Sequence, residues 1–398
     1  MKHFLLRPLL WFALFPLFLV SCNKNVETPT PVNQYLVSNT VIGSFTKEQL
    51  SQQLGAAGAG TGGLSSFLRN GIKVYKVVYK TKNTDGTEIQ ASGTVSVPNV
   101  TTAVPMVSVQ HGTLFNEADA PSNYGANSEA STVGALLSSL GYILVYPDYI
   151  GYGASKNLPH PYEHRESLAS ACLDMIRAAK ELLRQEQIAW DERLYIGGYS
   201  EGGGATIALQ KKMEEETGSE FNLRASSCGA GAYDKTAFMN FLINNKSSGD
   251  ATYNQFYVWV LLTYDRIYKL NRPLTTYFKE PYATQIQLTR EKTTGINVSF
   301  DQILTDSFKK GVKDGTDVAF VNAVKDNDMI DWKPRTPTRL YHGTADVTVY
   351  PFTSQNADAA MKKRGATTVQ YIPLEGKDHG SAIQDYLLGT LSFISSTQ

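Results

Sequence analysis

A serine flanked by glycines, Gly198-x-Ser200-x-Gly202, has the residue types in this sequence best suited to chemistry. The apolar run 194–197 precedes it and a helical pattern follows, so the order is strand, sharp turn, helix. At such a turn the serine takes a strained conformation, and residues two positions either side must be small. The backbone N–H of Glu201 then opens a helix, where it can face a developing negative charge. The pattern predicts a nucleophilic Ser200; the alternative is a glycine-rich turn with an incidental serine.

Two later loops carry the acid and the base that a nucleophilic serine needs. Asp346 lies just past the apolar run 338–343, and His379 lies after the last strand candidate, 368–373. A serine hydroxyl is a poor nucleophile at its own pKa, so His379 would remove its proton and return it to the leaving group. Asp346 would fix the tautomer of that histidine and stabilise its charged form. Asp378 is the competing acid, but a residue adjacent to the histidine generally points away from its ring.

The elements that must position these groups show two patterns of apolar residues along the chain. Residues 72–79 and 90–97 alternate between apolar and polar around a turn signal at 84–87, which predicts an antiparallel hairpin at the edge of a sheet. From residue 104 onward strand runs alternate with helical patterns, which predicts parallel strands with helices on both faces. The strand runs are 106–109, 142–146, 194–197, 225–232, 338–343 and 368–373, and the helical patterns cover about 133–140, 167–187, 201–216 and 383–394.

An antiparallel start followed by a parallel sheet, with the nucleophile turn after the third parallel strand, resembles the α/β-hydrolase fold. Residues 146–153, Tyr-Pro-Asp-Tyr-Ile-Gly-Tyr-Gly, resemble the Pro-Asp-Tyr-x-Gly-x-Gly loop of the secreted microbial lipase family. That resemblance implies that Asp148 braces the active-site loops and that Tyr149 lies near the acyl pocket. The alternative is a tight connection without a role in the site.

The end of the first parallel strand carries a His-Gly pair, His111-Gly112, followed by Thr113. This segment resembles the oxyanion loop of esterases and lipases. The resemblance implies that the backbone N–H of Thr113, or of its neighbour Leu114, joins that of Glu201 in binding the oxyanion. His111 is expected to be a packed structural side chain rather than a base.

Residues 235–334 form an insertion where this fold usually has one helix. Their pattern is aromatic and helical, and a segment inserted after the sixth strand should cap Ser200 between the two parts of the core, 46–234 and 335–398. An apolar underside would favour acyl or aryl groups. The alternative is that the aromatic side chains only pack the cap onto the core.

The first 22 residues predict export rather than structure. A basic start and the apolar stretch 8–20, which is short for a membrane span, end in Leu-Val-Ser-Cys, and this tetrad resembles the lipobox of bacterial lipoproteins. The resemblance implies that Cys22 is acylated and that residues 23–45 tether the domain to a membrane, with outer-membrane delivery compatible with Asn23. One alternative is a plain secretory signal with a stray cysteine, and a second, less favoured one is an uncleaved membrane anchor.

Composition limits the partners and cofactors of the chain. Its 398 residues carry 37 basic and 37 acidic side chains, so nucleic acid is an unfavourable partner. Cys172 and Cys228 could form a bridge, but buried thiols are favoured because a domain of this size needs no staple. Residues 160–164, His-Pro-Tyr-Glu-His, match an inverted zinc-peptidase motif, yet two prolines interrupt the helix that this motif requires. We therefore expect no metal and no organic cofactor.

Together these features predict an extracytoplasmic serine hydrolase that cleaves small-molecule or lipid carboxylic esters. A peptidase or a glycan acyl-esterase could use the same three residues, so the sequence leaves both open. A non-catalytic surface lipoprotein that keeps the fold for binding is the alternative from another class.

Overall fold

The computed structural model describes Met1, residues 32–56 and residues 64–397, and its central element is a nine-stranded mixed sheet. The strands are β1 Leu36–Phe45, β2 Ile72–Lys82, β3 Glu88–Pro98, β4 Val104–Gln110, β5 Ile143–Pro147, β6 Trp190–Tyr199, β7 Asn222–Gly229, β8 Thr338–Gly343 and β9 Val369–Leu374. Their order across the sheet is β1-β2-β3-β5-β4-β6-β7-β8-β9. β1, β2 and β3 pair antiparallel, and β3 pairs antiparallel with β5. The other six strands, β4 to β9, are parallel to one another. The predicted α/β architecture is confirmed.

The helices of the described residues flank this sheet or lie between β7 and β8. They are α1 Lys47–Ala56, α2 Ala135–Ser139, α3 Arg165–Gln185, α4 Glu201–Glu216, α5 Lys235–Asn244, α6 Ala251–Ile267, α7 Leu274–Tyr277, α8 Tyr282–Thr289, α9 Phe300–Ile303, α10 Asp306–Lys313, α11 Val318–Asp326, α12 Phe352–Lys363 and α13 Ala382–Ser396. None of these helices combines the length and the apolar character that crossing a bilayer requires.

The central strands read as continuous apolar runs because both faces of the sheet are covered. Successive residues of β5 point to opposite faces: Ile143 and Val145 join a cluster with α3 and α4, whereas Leu144 and Tyr146 join one with α13. Every residue of β5 is buried. The helices on both faces therefore enclose the strands whose ends carry the site.

The first strand corrects the predicted tether and the predicted sheet edge. β1 spans Leu36–Phe45 and pairs antiparallel with β2, so a tether cannot extend to residue 45 and the hairpin is not the edge. The buried carboxylate of Glu181 on α3 holds the start of this strand, accepting the backbone N–H groups of Gln34, Tyr35 and Leu36 at 2.7–3.0 Å. β1 is mostly exposed and shows no clean alternation, so its sequence resembles a linker.

The residues between β7 and β8 form a helical insertion with a hydrophobic cluster of its own. Helices α5 to α11 pack around buried aromatic and aliphatic side chains, among them Tyr277, Phe300, Phe308 and Phe320. This cluster also includes half-buried side chains just after β8, such as Tyr350. The insertion is therefore packed against the loop that follows β8.

The two cysteines of the described residues are free, buried thiols, Cys172 in α3 and Cys228 in β7. Burial raises the pKa of both thiols, to about 12 for Cys228. Uncharged thiols of this kind behave as small apolar side chains.

A buried histidine makes the stability of the fold depend on pH. His164 is the N-cap of α3, where its Nδ1 accepts from the backbone N–H and faces the hydroxyl of Ser167. Burial lowers the pKa of His164 from 6.5 to about 4, because the charged ring would be desolvated and could no longer accept. The unfolded chain thus binds a proton at a higher pH than the folded chain does.

We expect this difference to remove roughly 2–3 kcal/mol of stability as the pH falls from about 6.5 to about 4. In His164→Asn, the amide still caps the helix but does not titrate, so the free energy of unfolding should fall less steeply over that window. Urea unfolding of both proteins at several pH values measures the slopes. Equal slopes would refute the assignment of this titration to His164.

Candidate active site

Ser200 occupies a sharp turn between β6, which ends at Tyr199, and α4, which begins at Glu201. Its backbone lies at φ 60° and ψ −122°, a conformation that residues other than glycine rarely adopt. The N–H of Ser200 donates to the carbonyl of Gly229 at 2.9 Å, which ties the turn to the end of β7. Such strain, of order 1–3 kcal/mol, persists only where the surroundings fix it.

The two flanking glycines are required by the close approach of this turn to β4. A Cβ atom at Gly198 would overlap the carbonyl oxygens of Gln110 and Gly202. One at Gly202 would overlap the same Gln110 oxygen and lie 2.7 Å from that of His111. The spacing predicted from the sequence therefore has a direct steric cause.

A continuous hydrogen-bonded chain links Ser200, His379 and Asp346. The Oγ of Ser200 lies 2.9 Å from Nε2 of His379, and the Nδ1 of that ring lies 2.6 Å from Oδ2 of Asp346. The hydroxyl of Tyr199 donates to the backbone carbonyl of His379 at 2.7 Å, which helps to hold the loop after β9. The structure thus brings together the three residues singled out in the sequence.

Asp346 lies in a polar cradle although it is buried. Its Oδ1 accepts the backbone N–H groups of Thr348 at 2.9 Å and Val349 at 3.0 Å. Burial alone would raise its pKa, but hydrogen bonds from His342 and His379 outweigh burial and lower the pKa to about 2. The carboxylate therefore stays ionised over the whole neutral range.

His342 is a second histidine on this carboxylate, and the sequence analysis gave it no role. Its Nε2 lies 2.7 Å from the carbonyl of Val349 and 3.3 Å from Asp346 Oδ2. A carbonyl only accepts, so Nε2 carries a proton, and Nδ1 then accepts from the hydroxyl of Ser354 at 2.6 Å. Its position four residues before Asp346 was the sequence feature that could have indicated this contact.

The competing acid, Asp378, faces away from the histidine ring. Its Oδ1 accepts from the backbone N–H and the hydroxyl of Ser381, at 2.8 and 2.7 Å. It thereby shapes the start of α13, while Asp346 contacts the ring.

The loop after β4 lies beside Ser200. A Cβ at Gly112 would be 4.0 Å from the Cβ of Ser200, and the N–H of Gly112 donates to Glu129 at 3.2 Å. The side chain of Thr113 bonds the hydroxyl of Tyr162 at 2.9 Å. The Gly112–Thr113 peptide and the start of α4 therefore border the same space above Ser200.

The residues behind this loop brace it. His111 is 1% exposed, with Nε2 at 3.2 Å from the carbonyl of Asp148, and Tyr149 donates its hydroxyl to the carbonyl of His111 at 3.0 Å. The Asp148 carboxylate accepts from the hydroxyl of Ser92 at 2.5 Å and from the N–H of Ser122 at 2.7 Å. Tyr149 is fully buried behind the loop, and its expected place near the acyl pocket stays a prediction.

The three polar residues of the His-x-x-Glu-His stretch engage different partners. His160 contacts the Glu201 carboxylate at 2.7 Å through Nε2 and the Ile150 carbonyl at 2.7 Å through Nδ1. Glu163 forms an ion pair with Lys235, and His164 caps α3. In the described parts of the chain no group of three or more His, Cys, Asp or Glu side chains is arranged to hold a metal ion.

A pocket of about 560 Å³, including its open mouth, lies beside Ser200. Helices α5 and α6 of the insertion supply most of its wall, through apolar side chains such as Phe238, Leu242, Phe256 and Val260. The insertion therefore contributes directly to the space that the Ser200 hydroxyl faces.

Two side-chain pairs at this site, His160 with Glu201 and Lys235 with Glu163, were not predicted from the sequence. Lys235 and Glu163 are 72 positions apart, and neither lies in a pattern that indicates a partner. Only the tertiary packing of α5 against the loop before α3 brings them together.

The model of the family described as secretory lipase matches residues 122–388, more than half of the chain. The chain belongs to the secretory lipase family. The match covers Ser200, Asp346 and His379, and family membership identifies a lipase- or esterase-type hydrolase.

Solved structures of other proteins share the α/β-hydrolase fold of this chain. A putative hydrolase from Legionella pneumophila is 25% identical, with a TM-score of 0.80 over 92% of this chain and 98% of that one. A rice cell wall degrading esterase, LipA, from Xanthomonas oryzae is 21% identical, with a TM-score of 0.77 over 92% and 100%. Candida antarctica lipase A in its closed state is 13% identical, with a TM-score of 0.60 over 90% and 83%. No curated protein matches the sequence.

The close packing of the Ser200 turn against β4 predicts a specific loss of stability on substitution of Gly202. Gly202→Ala should lower the free energy of unfolding by about 1–3 kcal/mol, because its methyl group meets backbone oxygens that cannot move independently. Urea unfolding measures the change. Gly55→Ala is the matched control, since a Cβ there meets nothing within 4 Å, and it should be neutral or slightly stabilising. Equal effects of the two substitutions would contradict the close packing against β4.

Proposed function

We propose that the protein is an extracytoplasmic serine hydrolase that cleaves carboxylic esters through an acyl-enzyme, with Ser200, His379 and Asp346 as its triad. The observation that carries this proposal is the hydrogen-bonded chain from Ser200 through His379 to Asp346, starting at a strained turn. Membership of the secretory lipase family supports the same reaction class.

Each group has a role in the proposed reaction. Nε2 of His379 accepts the proton of Ser200 as Oγ bonds to the ester carbonyl carbon, and the proton passes to the alcohol oxygen as the old C–O bond breaks. Water then repeats the sequence on the acyl-enzyme and releases the acid. Asp346 accepts from Nδ1–H throughout, which keeps His379 in the tautomer that can accept a proton from serine.

The charge on the tetrahedral oxygen needs donors aimed from the protein. We assign the backbone N–H groups of Glu201, at the start of α4, and Thr113, in the loop after β4. His111, Gly112, Asp148 and Tyr149 support that loop from behind through the contacts described above, and residues 235–334 act as the cap over the site.

Removal of the nucleophile tests the triad. Ser200→Ala should lower kcat/KM for 4-nitrophenyl esters by about 10⁴-fold or more, and Asp346→Asn by about 10⁴-fold through the wrong histidine tautomer. A series from acetate to palmitate, followed by 4-nitrophenolate release, measures both losses and separates a short-chain esterase from a lipase. Because the pKa of Asp346 is about 2, no acidic decline of wild-type kcat/KM above about pH 4 should arise from this carboxylate.

Other outcomes would redirect the proposal. If the folded protein left every ester intact, acetylated glycans and peptide substrates would test the same triad on other acyl groups. If the protein hydrolysed none of these substrates either, the result would favour a non-catalytic binding protein that keeps the fold.

We further propose that Cys22 is lipid-modified and anchors the domain to the cell envelope. The support is the tetrad that ends at Cys22, which lies outside the described residues together with residues 2–21. A tether would then end before Asn33, where the compact unit begins.

In a bacterial host, the full-length protein should sediment with membranes and incorporate labelled fatty acid, because acyl chains bury in the bilayer. Cys22→Ser should remove the label and release the protein from the membrane fraction, while Ser200→Ala should behave as the wild type does. An unlabelled wild-type protein in the soluble fraction would support the plain secretory signal, and membrane retention of Cys22→Ser would support an uncleaved anchor.

A further inference from the structure

The pocket beside Ser200 contains a buried ion pair that the proposed reaction does not use. Nζ of Lys235 and Oε2 of Glu163 are in direct contact, and their side chains are only 5% and 9% exposed. Both residues line a pocket whose other walls are mainly aliphatic and aromatic. Removing two ions from water is unfavourable, so the pair needs further hydrogen bonds to be well compensated.

The structure leaves part of that hydrogen-bonding capacity unused. An ammonium group has three N–H donors, and among the described residues Lys235 donates to Glu163 alone. Glu163 accepts from Lys235 through Oε2, and its Oε1 accepts a hydrogen bond from no described residue. A second observation lies in the same pocket, where the buried hydroxyl of Thr348 has no partner within the described chain.

These groups select one ligand chemistry. A carboxylate near Lys235 would be repelled by Glu163, and an ammonium near Glu163 would be repelled by Lys235. A neutral hydroxyl has both functions, since it can donate to Glu163 Oε1 and accept from Lys235 Nζ without disturbing the neutral pair. An apolar group in its place would exclude water and leave the unused donors and acceptor unpaired.

The Lys235–Glu163 pair can be located relative to Ser200 through α4. Oε2 of Glu163 lies 3.5 Å from where a Cβ of Gly204 would stand, and the N–H of Gly204 donates to the carbonyl of Ser200 at 3.2 Å. Glu163 therefore lies beside the residue of α4 that is about one helical turn past Ser200. A hydroxyl near the end of a six-carbon chain attached to the ester can span about one helical turn.

We propose that Lys235 and Glu163 form a hydroxyl-binding subsite in the substrate pocket, which selects esters that carry a hydroxyl group about one helical turn from the scissile carbonyl. This proposal rests on the proposed ester hydrolysis at Ser200. The hydroxyl can belong to the acyl group or to the alcohol, and the two sources are separated by experiment.

The first test uses the full-length wild-type protein and isosteric esters. 4-Nitrophenyl 6-hydroxyhexanoate and 4-nitrophenyl heptanoate differ by a terminal hydroxyl in place of a methyl group. For the alcohol side, 6-hydroxyhexyl butyrate is compared with heptyl butyrate. We expect kcat/KM to favour the hydroxylated member of at least one pair by about tenfold or more, because the methyl group leaves the buried ions unpaired. Equal values or a preference for the methyl member in both pairs would overturn the proposal.

The second test changes the pair itself. In Lys235→Met/Glu163→Met, which replaces the ions by apolar groups of similar volume, the preference should disappear or reverse. In Lys235→Gln/Glu163→Gln, where hydrogen bonding remains without charge, a preference should persist. The same double exchange at the exposed pair Lys279 and Asp306, to Met at both positions, is the matched control and should keep the wild-type ratio.

Thermal unfolding shows which variants are folded, and the wild-type comparison does not depend on them. An unchanged ratio in the folded Met/Met variant would overturn the subsite. Failure of the proposed function is distinguishable, since it would appear as loss of Ser200-dependent hydrolysis of 4-nitrophenyl acetate, which is too short to reach the pair.

Discussion

The close approach of one turn to one strand end determines the geometry of this site. The turn at Ser200 packs so tightly against the end of β4 that no Cβ fits at Gly198 or Gly202. This contact holds Ser200 in its strained conformation, with its Oγ towards His379. It also sets the Gly112–Thr113 peptide beside Ser200, so one steric constraint positions both the proposed nucleophile and the candidate oxyanion donors.

The parallel sheet explains why distant positions meet at this turn. Ser200 follows β6, Asp346 follows β8 and His379 follows β9, and the carboxyl ends of parallel strands lie at the same edge. The sequence therefore predicted these positions, because a strand followed by a chemically apt loop is a local pattern. Lys235 and Glu163 escaped prediction because their contact, across 72 positions, depends on how separate elements pack. His342 contacts Asp346 only four residues away, but a histidine within a strand does not by itself indicate which carboxylate it meets. β1 escaped because its mostly exposed residues are held by backbone hydrogen bonds and by Glu181, not by a hydrophobic pattern.

Buried charges at the site are compensated to different degrees. Asp346 accepts two backbone N–H groups and contacts two imidazole rings, so its ionised form is favoured in spite of burial. Glu201 is also buried and meets His160 through Oε1, while its Oε2 has no partner among the described residues. The Lys235–Glu163 pair neutralises itself but leaves donors and an acceptor unused. The proposed catalytic acid is thus the best compensated of these buried groups, whereas Oε2 of Glu201 and the Lys235–Glu163 pair in the pocket wall keep unused hydrogen-bonding capacity.

The core and the insertion contribute different parts of the site. Every contact within the Ser200–His379–Asp346 chain is made by loops of the sheet, whereas most of the pocket wall belongs to α5 and α6. The two parts are joined where the hydroxyl of Tyr257 on α6 donates to the carbonyl of Thr348 at 2.7 Å, next to the N–H that Asp346 accepts. Because this bond reaches Asp346 only through backbone groups, changes elsewhere in the insertion can alter which ester is bound while the hydrogen-bonded chain keeps its geometry.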